Sequence, residues 1–274
     1  MSEKNLAIVV PVKDRQAYLD VFLEHVPRYL REVNGLRRFK IFVAEQCDDA
    51  PFNLSLARNV GARFALDENR HDYVLFHDVD LIPVAHVDYG YRERNVCWFM
   101  KAGTCKIHTR ALIDANGYNP SVWGWCSEDY EFYSRVCDFG HAMETWHKLP
   151  ESEAAVIVDL DLSPQSREAC DLHSKWYFGH DGQGPRYVSY NLTDHVRPRS
   201  QVPKDGWRMK GWHFQRLSDR HRQIIDFLVT MPVAQKRKYA DLYGLNWVNK
   251  SKVSVVVDND RLCHVRYRWF DVVD

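Results

Sequence analysis

The most informative segment of this chain is LAIVVPV, Leu6 to Val12. All seven residues are apolar, and four of them are β-branched. A continuous apolar run, without polar residues at alternate positions, is typical of a strand that is buried on both faces of a parallel sheet. The sequence therefore predicts that this strand lies inside a sheet that is covered by helices.

Helical and strand patterns alternate downstream of that strand. The segment RQAYLDVFLEHVPRYLREV has apolar residues at helical spacing, and FKIFVAEQ after it predicts a second strand. NLSLARNVGARFAL predicts a second amphipathic helix, with an apolar face formed by Leu56, Val60 and Phe64, and YVLF predicts a third strand. Strand, helix, strand, helix, strand is the pattern of a parallel sheet with helices packed on it.

The rest of the chain has weaker patterns. VCWFMKAGTCKIHTRALIDANGY predicts a strand, a loop and a short helix, and AAVIVDLDL predicts another strand. Long loops over residues 163–206, helices over Gln215–Leu228 and Pro232–Tyr243, and a closing hairpin from KVSVVVD and CHVRYRWF complete the prediction. We expect an α/β fold with a mostly parallel central sheet flanked by helices. Residues 1–164 form its core, and residues 165–274 form a loop-rich and helical extension of the same structural domain.

The composition argues against several classes of partner. The 274 residues carry 37 basic and 37 acidic side chains, so no global charge attracts nucleic acid or a membrane surface. KGWHFQRLSDRHRQ and QKRKYADLYG mix basic and aromatic residues, as nucleic-acid grooves do, but the balanced charge favours solvated helix faces. We therefore expect no nucleic-acid partner.

The apolar segments and the cysteines indicate in which cellular compartment the protein is expected. No run of about 18 apolar residues occurs, so no membrane span is predicted, and the run after Asn5 is too short for a signal peptide. Seven scattered cysteines without a CxxC pair are typical of free thiols rather than of a structural zinc site. We expect a cytoplasmic protein.

Polar residues follow the predicted strands at their carboxyl ends, where α/β sheets bind ligands. Asp78 and Asp80 come directly after the third strand, and residues two apart in an extended segment point the same way. The two carboxylates would repel each other unless a cation lies nearby, and Mn²⁺ or Mg²⁺ with a diphosphate would suit them. Solvated loop acids, or caps for the next turn, are the alternative.

A second polar cluster lies in the segment WGWCSED. Trp123 and Trp125 flank a glycine, and Trp rings stack on the apolar faces of sugars. Glu128 and Asp129 follow near a predicted helix start, where a carboxylate could accept a proton from a hydroxyl nucleophile. An aromatic core corner with helix-capping acids is the alternative interpretation.

Five segments occur in the order and spacing of a known family. They are PVKDRQAYL, FNLSLARNVG, DYVLFHDVDLIP, AGTCKIHTRALIDANGY and WGWCSEDYEFYSRV. Over about Ala7 to Gly140 the chain resembles the β-1,4-galactosyltransferase family, glycosyltransferase family 7. The resemblance implies a GT-A fold, a metal-dependent site for a UDP-sugar and an inverting mechanism. Because no membrane anchor is predicted, we expect a soluble bacterial or viral type of member.

The resemblance also implies roles for individual residues. Asp80 would ligate the metal, Glu128 would contact sugar hydroxyls, and Asp129 would be the catalytic base. Contacts to the UDP-sugar donor would come from Pro11, Lys13, Arg15, Phe52, Arg58, Asp78, Gly103 and Trp125. The chain departs from the family pattern where Lys replaces Arg at 13, Cys replaces Gly at 126 and Tyr replaces Asp at 130.

The second metal ligand in this family is a histidine downstream of the WGW segment. His173, in DLHSKW, matches best, and His180 and His213 are the alternatives. The expected cofactor is Mn²⁺, with Mg²⁺ as a substitute.

The expected function is transfer of a hexose, of galactose or N-acetylgalactosamine type, from a UDP-sugar to a hydroxyl group of a carbohydrate acceptor. Polysaccharide polymerases that transfer N-acetylgalactosamine or glucuronic acid have related motifs. Two alternatives remain open. The chain could be a non-catalytic GT-A domain that binds nucleotide sugars or glycans, or a glycosyltransferase with a non-glycan acceptor such as modified DNA.

Overall fold

The computed structural model describes residues 4–48, 52–83, 89–91, 93, 95–98, 104–120, 127–145, 157–159, 232–240 and 244–272. Its strands are β1 Leu6–Val12, β2 Phe39–Gln46, β3 Tyr73–Phe76, β4 Leu81–Pro83, β5 Asn95–Trp98, β6 Thr104–His108, β7 Met143–Thr145, β8 Ile157–Asp159, β9 Ser254–Asp258 and β10 Leu262–Tyr267. Its helices are α1 Gln16–Glu32, α2 Leu54–Asp67, α3 Thr109–Asp114, α4 Ser127–Asp138, α5 Val233–Ala240 and α6 Trp269–Val272, with short 3-10 turns at Gly244–Trp247 and Lys250–Lys252.

Eight of these strands form one sheet, in the order β7-β5-β6-β3-β1-β2-β10-β9. Its centre is parallel, because β1 pairs with β2 and β3, and β2 pairs with β10, all in the same direction. Antiparallel pairs flank this centre on both sides. The predicted parallel core is confirmed, but the sheet as a whole is mixed. β4 and β8 form a separate two-stranded sheet.

β1 lies in the middle of the sheet and is buried along its whole length. Successive side chains of a strand point to opposite faces. Leu6, Ile8 and Val10 join the apolar cluster beneath α1, whereas Ala7 and Val9 join the cluster beneath α2. Burying each larger side chain contributes about 1.5–3 kcal/mol. The continuous apolar run is thus explained by two helical layers, one on each face.

Helix α2 approaches the sheet closely and starts at its carboxyl edge. A Cβ atom on Gly61 would lie 2.5 Å from Cγ1 of Val9, so only glycine fits at this crossing. Asn53 caps the helix, because its Oδ1 accepts a hydrogen bond from the Leu56 amide at 2.8 Å. The Asn53 amide donates to the Gln46 side chain at the end of β2, which fixes the first turn of α2 beside that strand.

The segment after residue 94 differs from its prediction. It forms two antiparallel strands, β5 and β6, where the sequence predicted one. In β6, Cys105 and Ile107 are buried, and the Lys106 side chain between them donates to the Gly90 carbonyl. Lys106 is itself only 2% exposed, so these three residues are all buried, and the lysine interrupts the apolar run from which a buried strand would be predicted.

The C-terminal prediction of a hairpin is confirmed by β9 and β10, and β10 extends the central sheet next to β2. The helix predicted over Pro232–Tyr243 is confirmed as α5. The loops of residues 163–206 and the helix predicted over Gln215–Leu228 lie outside the described residues, and the boundary at 164/165 stays a prediction. Among the residues that the structure describes, no helix is both long enough and apolar enough to cross a membrane.

Candidate active site

Charged residues from two parallel strands meet at the carboxyl edge of the sheet. Lys13, Asp14 and Arg15 follow β1, and Asp78 and Asp80 follow β3. The Arg15 guanidinium forms an ion pair with the Asp80 carboxylate. Between the two basic residues, Asp14 has a φ of 52°, a left-handed conformation that few residues other than glycine adopt. This turn carries the chain from β1 into α1 and brings Arg15 to Asp80.

A buried arginine lies at the centre of the remaining acids. Arg58, on α2, is 1% exposed, and its Nη1 lies 2.6 Å from Oδ1 of Asp129. The same guanidinium is 3.6 Å from a carboxylate oxygen of Glu128 and 3.6 Å from one of Asp78. Arg58 therefore joins the acids that begin α4 to the first aspartate after β3, which are far apart in the sequence.

Two stacked aromatic rings lie against the Arg58 guanidinium. The Arg58 guanidinium lies 4.8 Å from the centre of the Tyr118 ring, a cation–π distance. Tyr118 stacks on Phe132 of α4, with ring centres 4.1 Å apart and an interplanar angle of 20°. This stacking packs the helix that carries Asp129 against the core. It therefore restricts the movement of both residues of the Arg58–Asp129 ion pair.

Helix α4 is also held by a second buried arginine. Arg135 forms a two-pronged ion pair with Glu131, with both N–O distances at 2.8 Å, and donates to the carbonyls of Ala115 and Gly117. These contacts connect α4 to the segment after α3. The position of the carboxylates at the start of α4 is thus set by contacts one and two turns later.

Among the described residues of this cluster, the carboxyl groups outnumber the guanidinium groups. Arg15 and Arg58 face four carboxyl groups, those of Asp78, Asp80, Glu128 and Asp129. Glu128 is 2% exposed, and its Oε2 has no hydrogen-bond partner among the described residues. Desolvation, together with the neighbouring Asp129, raises the pKa of Glu128 to about 8, although Arg58 opposes the shift. Burial therefore favours the protonated form of Glu128.

Asp78 responds to the same surroundings. Desolvation raises the pKa of Asp78 above its ordinary value, and the charges of Asp80 and Asp129 add to the shift while Arg58 opposes it. The 30% of its side chain that remains exposed to water moderates the effect. A cation placed among these carboxylates would favour their ionised forms.

The residue before Asp78 is a buried neutral histidine. Burial lowers the pKa of His77 to about 4. Its Nδ1 lies 2.8 Å from the Asp78 carbonyl, which can only accept, so Nδ1 carries the proton and Nε2 accepts from the Tyr89 hydroxyl at 2.9 Å. This chain of hydrogen bonds fixes the backbone from which the Asp78 side chain extends.

Two asparagines of the α2 segment position the site, and neither was predicted. The Asn53 Nδ2 donates to the Pro120 carbonyl at 2.8 Å, next to the segment that leads to the WGW stretch. The Asn59 side chain accepts a hydrogen bond from the Tyr118 amide and donates one to the Tyr118 carbonyl, each at 2.8 Å.

The central position of Arg58 among the acids was also not predicted. A signal existed, because Leu54, Gly61 and Ala65 lie on its side of the helix, and an arginine among such neighbours indicates a buried charge.

The donor chemistry of the site suits a divalent metal ion. The carboxylates of Asp78 and Asp80 are hard oxygen donors of the kind that Mn²⁺ and Mg²⁺ take. Within the described part of the chain, no group of three or more His, Cys, Asp or Glu side chains is arranged to hold a metal. The predicted ligand His173 and its alternatives His180 and His213 lie outside that part.

The other predicted site residues lie at the same edge or outside the described ranges. Pro11 is buried near the end of β1, and Phe52 is half-buried and packs against the core beneath α2. Lys13 donates to the Asp48 carbonyl. Gly103 and Trp125 are not among the described residues, so their predicted donor contacts, like the roles of the others, stay predictions.

Two sequence families match the chain. The family described as the N-terminal region of glycosyl transferase group 7 matches residues 1–91, and the one described as the N-terminal domain of galactosyltransferase matches residues 86–155. Together they cover more than half of the 274 residues.

Individual relatives agree with this match. Human beta-1,4-galactosyltransferase 7 is 33% identical over 145 residues, which cover 48% of this chain and 43% of the relative. Mouse beta-1,4-galactosyltransferase 5 is 28% identical over 209 residues, which cover 69% of this chain and 52% of the relative. The chain thus spans about half the length of the curated relatives it matches.

A solved structure supports the fold. The crystal structure of a mutant Drosophila beta-1,4-galactosyltransferase 7, in complex with manganese, UDP-Gal and xylobiose, matches with a TM-score of 0.57 at 18% identity, covering 99% of this chain and 94% of that one. This likeness confirms the predicted GT-A class, an α/β fold with a central sheet flanked by helices. With both halves of the family pattern matched across residues 1–155, the chain belongs to glycosyltransferase family 7.

Proposed function

We propose that this chain transfers a hexose, of galactose or N-acetylgalactosamine type, from a UDP-sugar to a hydroxyl group of a carbohydrate acceptor. The observation that carries the proposal is the contact between Arg58 and Asp129, which joins the two acidic segments at the carboxyl edge of the sheet. The complex of the Drosophila relative with manganese, UDP-Gal and xylobiose supports the same choice of donor, metal and acceptor class.

Asp129 is the proposed general base. Arg58 contacts its Oδ1, which leaves Oδ2 to accept a proton, and 21% of the side chain is exposed. The acceptor oxygen attacks the anomeric carbon from the face opposite UDP while its proton passes to Asp129. The bond between the anomeric carbon and the UDP oxygen breaks, UDP leaves with the electron pair, and the configuration at the anomeric carbon inverts.

Arg58 is the proposed positioning residue for that base. Its buried guanidinium holds the Asp129 carboxylate in one orientation and offers it a stable counter-charge. A base that accepts a proton from a sugar hydroxyl must lie within hydrogen-bond reach of it, so the orientation of this carboxylate controls the reaction.

Glu128 is proposed to contact the sugar as a neutral acid. Burial favours its protonated form, and in that form it can donate a hydrogen bond to a sugar hydroxyl as well as accept one. Its buried Oε2, without a partner among the described residues, is the oxygen we assign to that contact. The two adjacent carboxyl groups would then have different roles: Asp129 accepts the acceptor proton, and Glu128 donates a hydrogen bond to the sugar.

The metal ion, when bound by Asp80 and by His173 as its predicted partner, would offset the negative charge that develops on UDP. Asp78, beside Asp80, would support the ribose and the metal ligand. Lys13 and Arg15 would contact the nucleotide from the other side of the same edge. Arg15 already forms an ion pair with Asp80, so this edge of the site contains both signs of charge.

The test is a screen of the purified chain for UDP release. UDP-galactose, UDP-N-acetylgalactosamine, UDP-glucose and UDP-N-acetylglucosamine are each supplied with Mn²⁺ or with EDTA, and with oligosaccharides that include xylobiose. We expect Mn²⁺-dependent release from one of the galactose-type donors, stimulated by an acceptor. A product linked with the opposite anomeric configuration to the donor, seen by NMR, would support inversion. No release from any donor, with the fold intact, would refute the proposal.

A further inference from the structure

We infer that His77 and Tyr89 are positioning residues for the proposed metal site, and that the hydrogen bond between them sets how tightly the chain binds Mn²⁺. The sequence did not predict either residue as part of the site. Both would act through the turn that carries Asp78 and Asp80, without contacting the metal or the substrates themselves. Because Asp80 is the predicted metal ligand, this inference rests on the proposed function.

The two aspartates lie in a short turn between strands β3 and β4. β3 ends at Phe76, and β4 begins at Leu81. The Asp78 carbonyl accepts a hydrogen bond from the Leu81 amide at 3.4 Å, which closes the turn. A bond of this length is weaker than an ordinary backbone hydrogen bond. A second contact at the same carbonyl therefore contributes more to fixing the turn.

The second contact comes from the His77 ring. Its Nδ1 lies 2.8 Å from the Asp78 carbonyl oxygen, which can only accept, so Nδ1 carries the proton. Nε2 is then an acceptor, and it lies 2.9 Å from the Tyr89 hydroxyl. Burial raises the pKa of Tyr89, so the hydroxyl keeps the proton that it donates. Both bonds point from Tyr89 toward the Asp78 carbonyl, and in such a series each bond strengthens the next.

The two rings are enclosed by the protein. His77 and Tyr89 are each 0% exposed, so bulk water cannot replace a hydrogen bond that is lost between them. Helix α1 packs against both rings. Phe22 meets His77 with ring centres 5.2 Å apart and an interplanar angle of 71°, and Tyr29 meets Tyr89 at 6.0 Å and 78°. These contacts restrict the rotation of both rings.

The position of Tyr89 is fixed by elements outside the turn. Its amide donates to Oδ1 of Asn34, just after α1, at 2.8 Å, and its carbonyl accepts from the Tyr73 hydroxyl of β3 at 3.2 Å. Helix α1 also contacts the segment that follows the turn, because Nε2 of His25 lies 2.7 Å from the carbonyl of Pro83, the last residue of β4. Helix α1 and β3 therefore hold Tyr89 in place, and Tyr89 in turn orients the histidine ring.

The substitution Tyr89→Phe would break this arrangement at one atom. It keeps the aromatic ring and its packing, but Nε2 of His77 loses its donor. The ring is then oriented less strictly, and the turn that carries Asp78 and Asp80 samples more conformations. Metal binding must order the turn again, and this entropy cost lowers the affinity without changing the chemistry of the loaded site. Removing groups that orient metal ligands typically lowers metal affinity by about 10–100-fold.

The test measures the turn and the metal separately. In EDTA, hydrogen–deuterium exchange of peptides that contain the Leu81 amide reports the turn, and we expect exchange about fivefold faster in Tyr89→Phe than in the unmodified chain. Calorimetric titration with Mn²⁺ in the presence of UDP should show an affinity about tenfold lower in this variant. The transfer rate at saturating Mn²⁺ should stay within about twofold, because Asp129 is unchanged.

Tyr73→Phe is the matched control. It removes the buried hydroxyl that bonds the Tyr89 backbone, and it leaves the bond between Tyr89 and His77 in place. Its exchange at Leu81 and its Mn²⁺ affinity should match those of the unmodified chain. Urea denaturation of both variants checks that a difference in metal affinity does not follow a difference in the free energy of unfolding.

Two substitutions of His77 extend the test. His77→Leu removes both hydrogen bonds and should weaken Mn²⁺ binding further than Tyr89→Phe does. His77→Asn restores an N–H donor near the Asp78 carbonyl and should recover part of the affinity. Equal Mn²⁺ affinity in Tyr89→Phe and the unmodified chain, or an equal loss in Tyr73→Phe, would overturn this inference alone. No Mn²⁺-dependent UDP binding by the unmodified chain would overturn the proposed function together with it.

Discussion

Nη1 of Arg58 lies 2.6 Å from Oδ1 of Asp129, although the two residues are 71 positions apart in the chain. The arginine is 1% exposed, whereas the aspartate side chain is 21% exposed. The cation is therefore enclosed by the protein, while the carboxylate can still reach a ligand. This asymmetry suits a base that must stay fixed yet accept a proton from outside.

Replacing Asp129 by Asn should lower transfer by at least about 100-fold, because a carboxamide cannot accept the acceptor proton. The side chain keeps its shape, and its carbonyl oxygen can still accept from Arg58, so the fold should persist. The measurement is the rate of acceptor-dependent UDP release, with circular dichroism as the check on folding. Asp138→Asn, which neutralises an exposed acid at the far end of the same helix, should change the rate little. Comparable rates in both variants would remove Asp129 from the mechanism.

Replacing Arg58 by Met should destabilise the fold by about 3–5 kcal/mol and slow transfer by about 100-fold. The loss of the buried cation leaves Asp78, Glu128 and Asp129 without their shared partner, so the acid limb of the pH–activity profile should move to higher pH. Arg58→Lys should recover part of the activity. The measurements are urea denaturation and initial rates across pH.

Arg135→Met is the matched control for that variant. It removes another buried arginine, which pairs with Glu131 on α4, and it should lower the free energy of unfolding by a similar amount. Because Arg135 does not contact Asp129, its pH–activity profile should keep the position of the unmodified chain. The same pH displacement in both variants would mean that Arg58 acts only through stability.

Replacing Asp80 by Ala should abolish the Mn²⁺-dependent part of UDP binding. The predicted metal ligand is lost, and the ion pair between Arg15 and Asp80 is lost with it. The measurement is calorimetric titration of UDP with Mn²⁺ and with EDTA. Asp20→Asn, an exposed acid on α1, serves as the control. Unchanged Mn²⁺-dependent heats in Asp80→Ala would exclude this residue as a ligand.

Much of the fold was predictable because its signals are local. LAIVVPV and the helical spacing of RQAYLDVFLEHVPRYLREV each determine an element without reference to the rest of the chain. The antiparallel pairing of β6 with β3 was not predictable in this way, because it depends on contacts between residues that are distant in the sequence. Lys106 in the middle of β6 also interrupts the apolar pattern.

The candidate site was predicted in its acids but not in the residues that organise them. Asp78 with Asp80, and Glu128 with Asp129, are closely spaced pairs that a sequence displays directly. Arg58 acquires its role only when α2 and α4 pack together, and its partners come from separate parts of the chain. Local patterns identify the charged groups, and tertiary packing decides which of them meet.

Replacing Gly117 by Ala should destabilise the fold by about 3 kcal/mol, measured by urea denaturation. Gly117 has a φ of 70°, and a Cβ atom there would lie 2.4 Å from Oδ1 of Asn59, which holds Tyr118. Gly35→Ala is a close control, since Gly35 has a φ of 67° and no atom within 4 Å of the added Cβ. Its cost, about 1 kcal/mol, measures the backbone strain alone. Equal costs would show that the Asn59 contact adjusts without penalty.

Replacing Glu128 by Gln should change how stability depends on pH. The pKa of Glu128 is raised to about 8 in the folded chain, from an ordinary value of 4.5. Between these values the folded state keeps a proton that the unfolded chain releases. This contribution to stability is complete below pH 4.5 and is lost as the pH rises through 8.

The glutamine side chain introduced by this substitution stays neutral at every pH and lacks that dependence. From pH 5 to pH 8, in EDTA, the stability of the unmodified chain should therefore fall relative to Glu128→Gln by about 2–4 kcal/mol. Urea denaturation at both pH values measures the difference. Glu24→Gln, which changes an exposed residue on α1, should show no such change. A difference that stays constant with pH would mean that Glu128 is ionised in the folded protein, and that it cannot donate the hydrogen bond assigned to it.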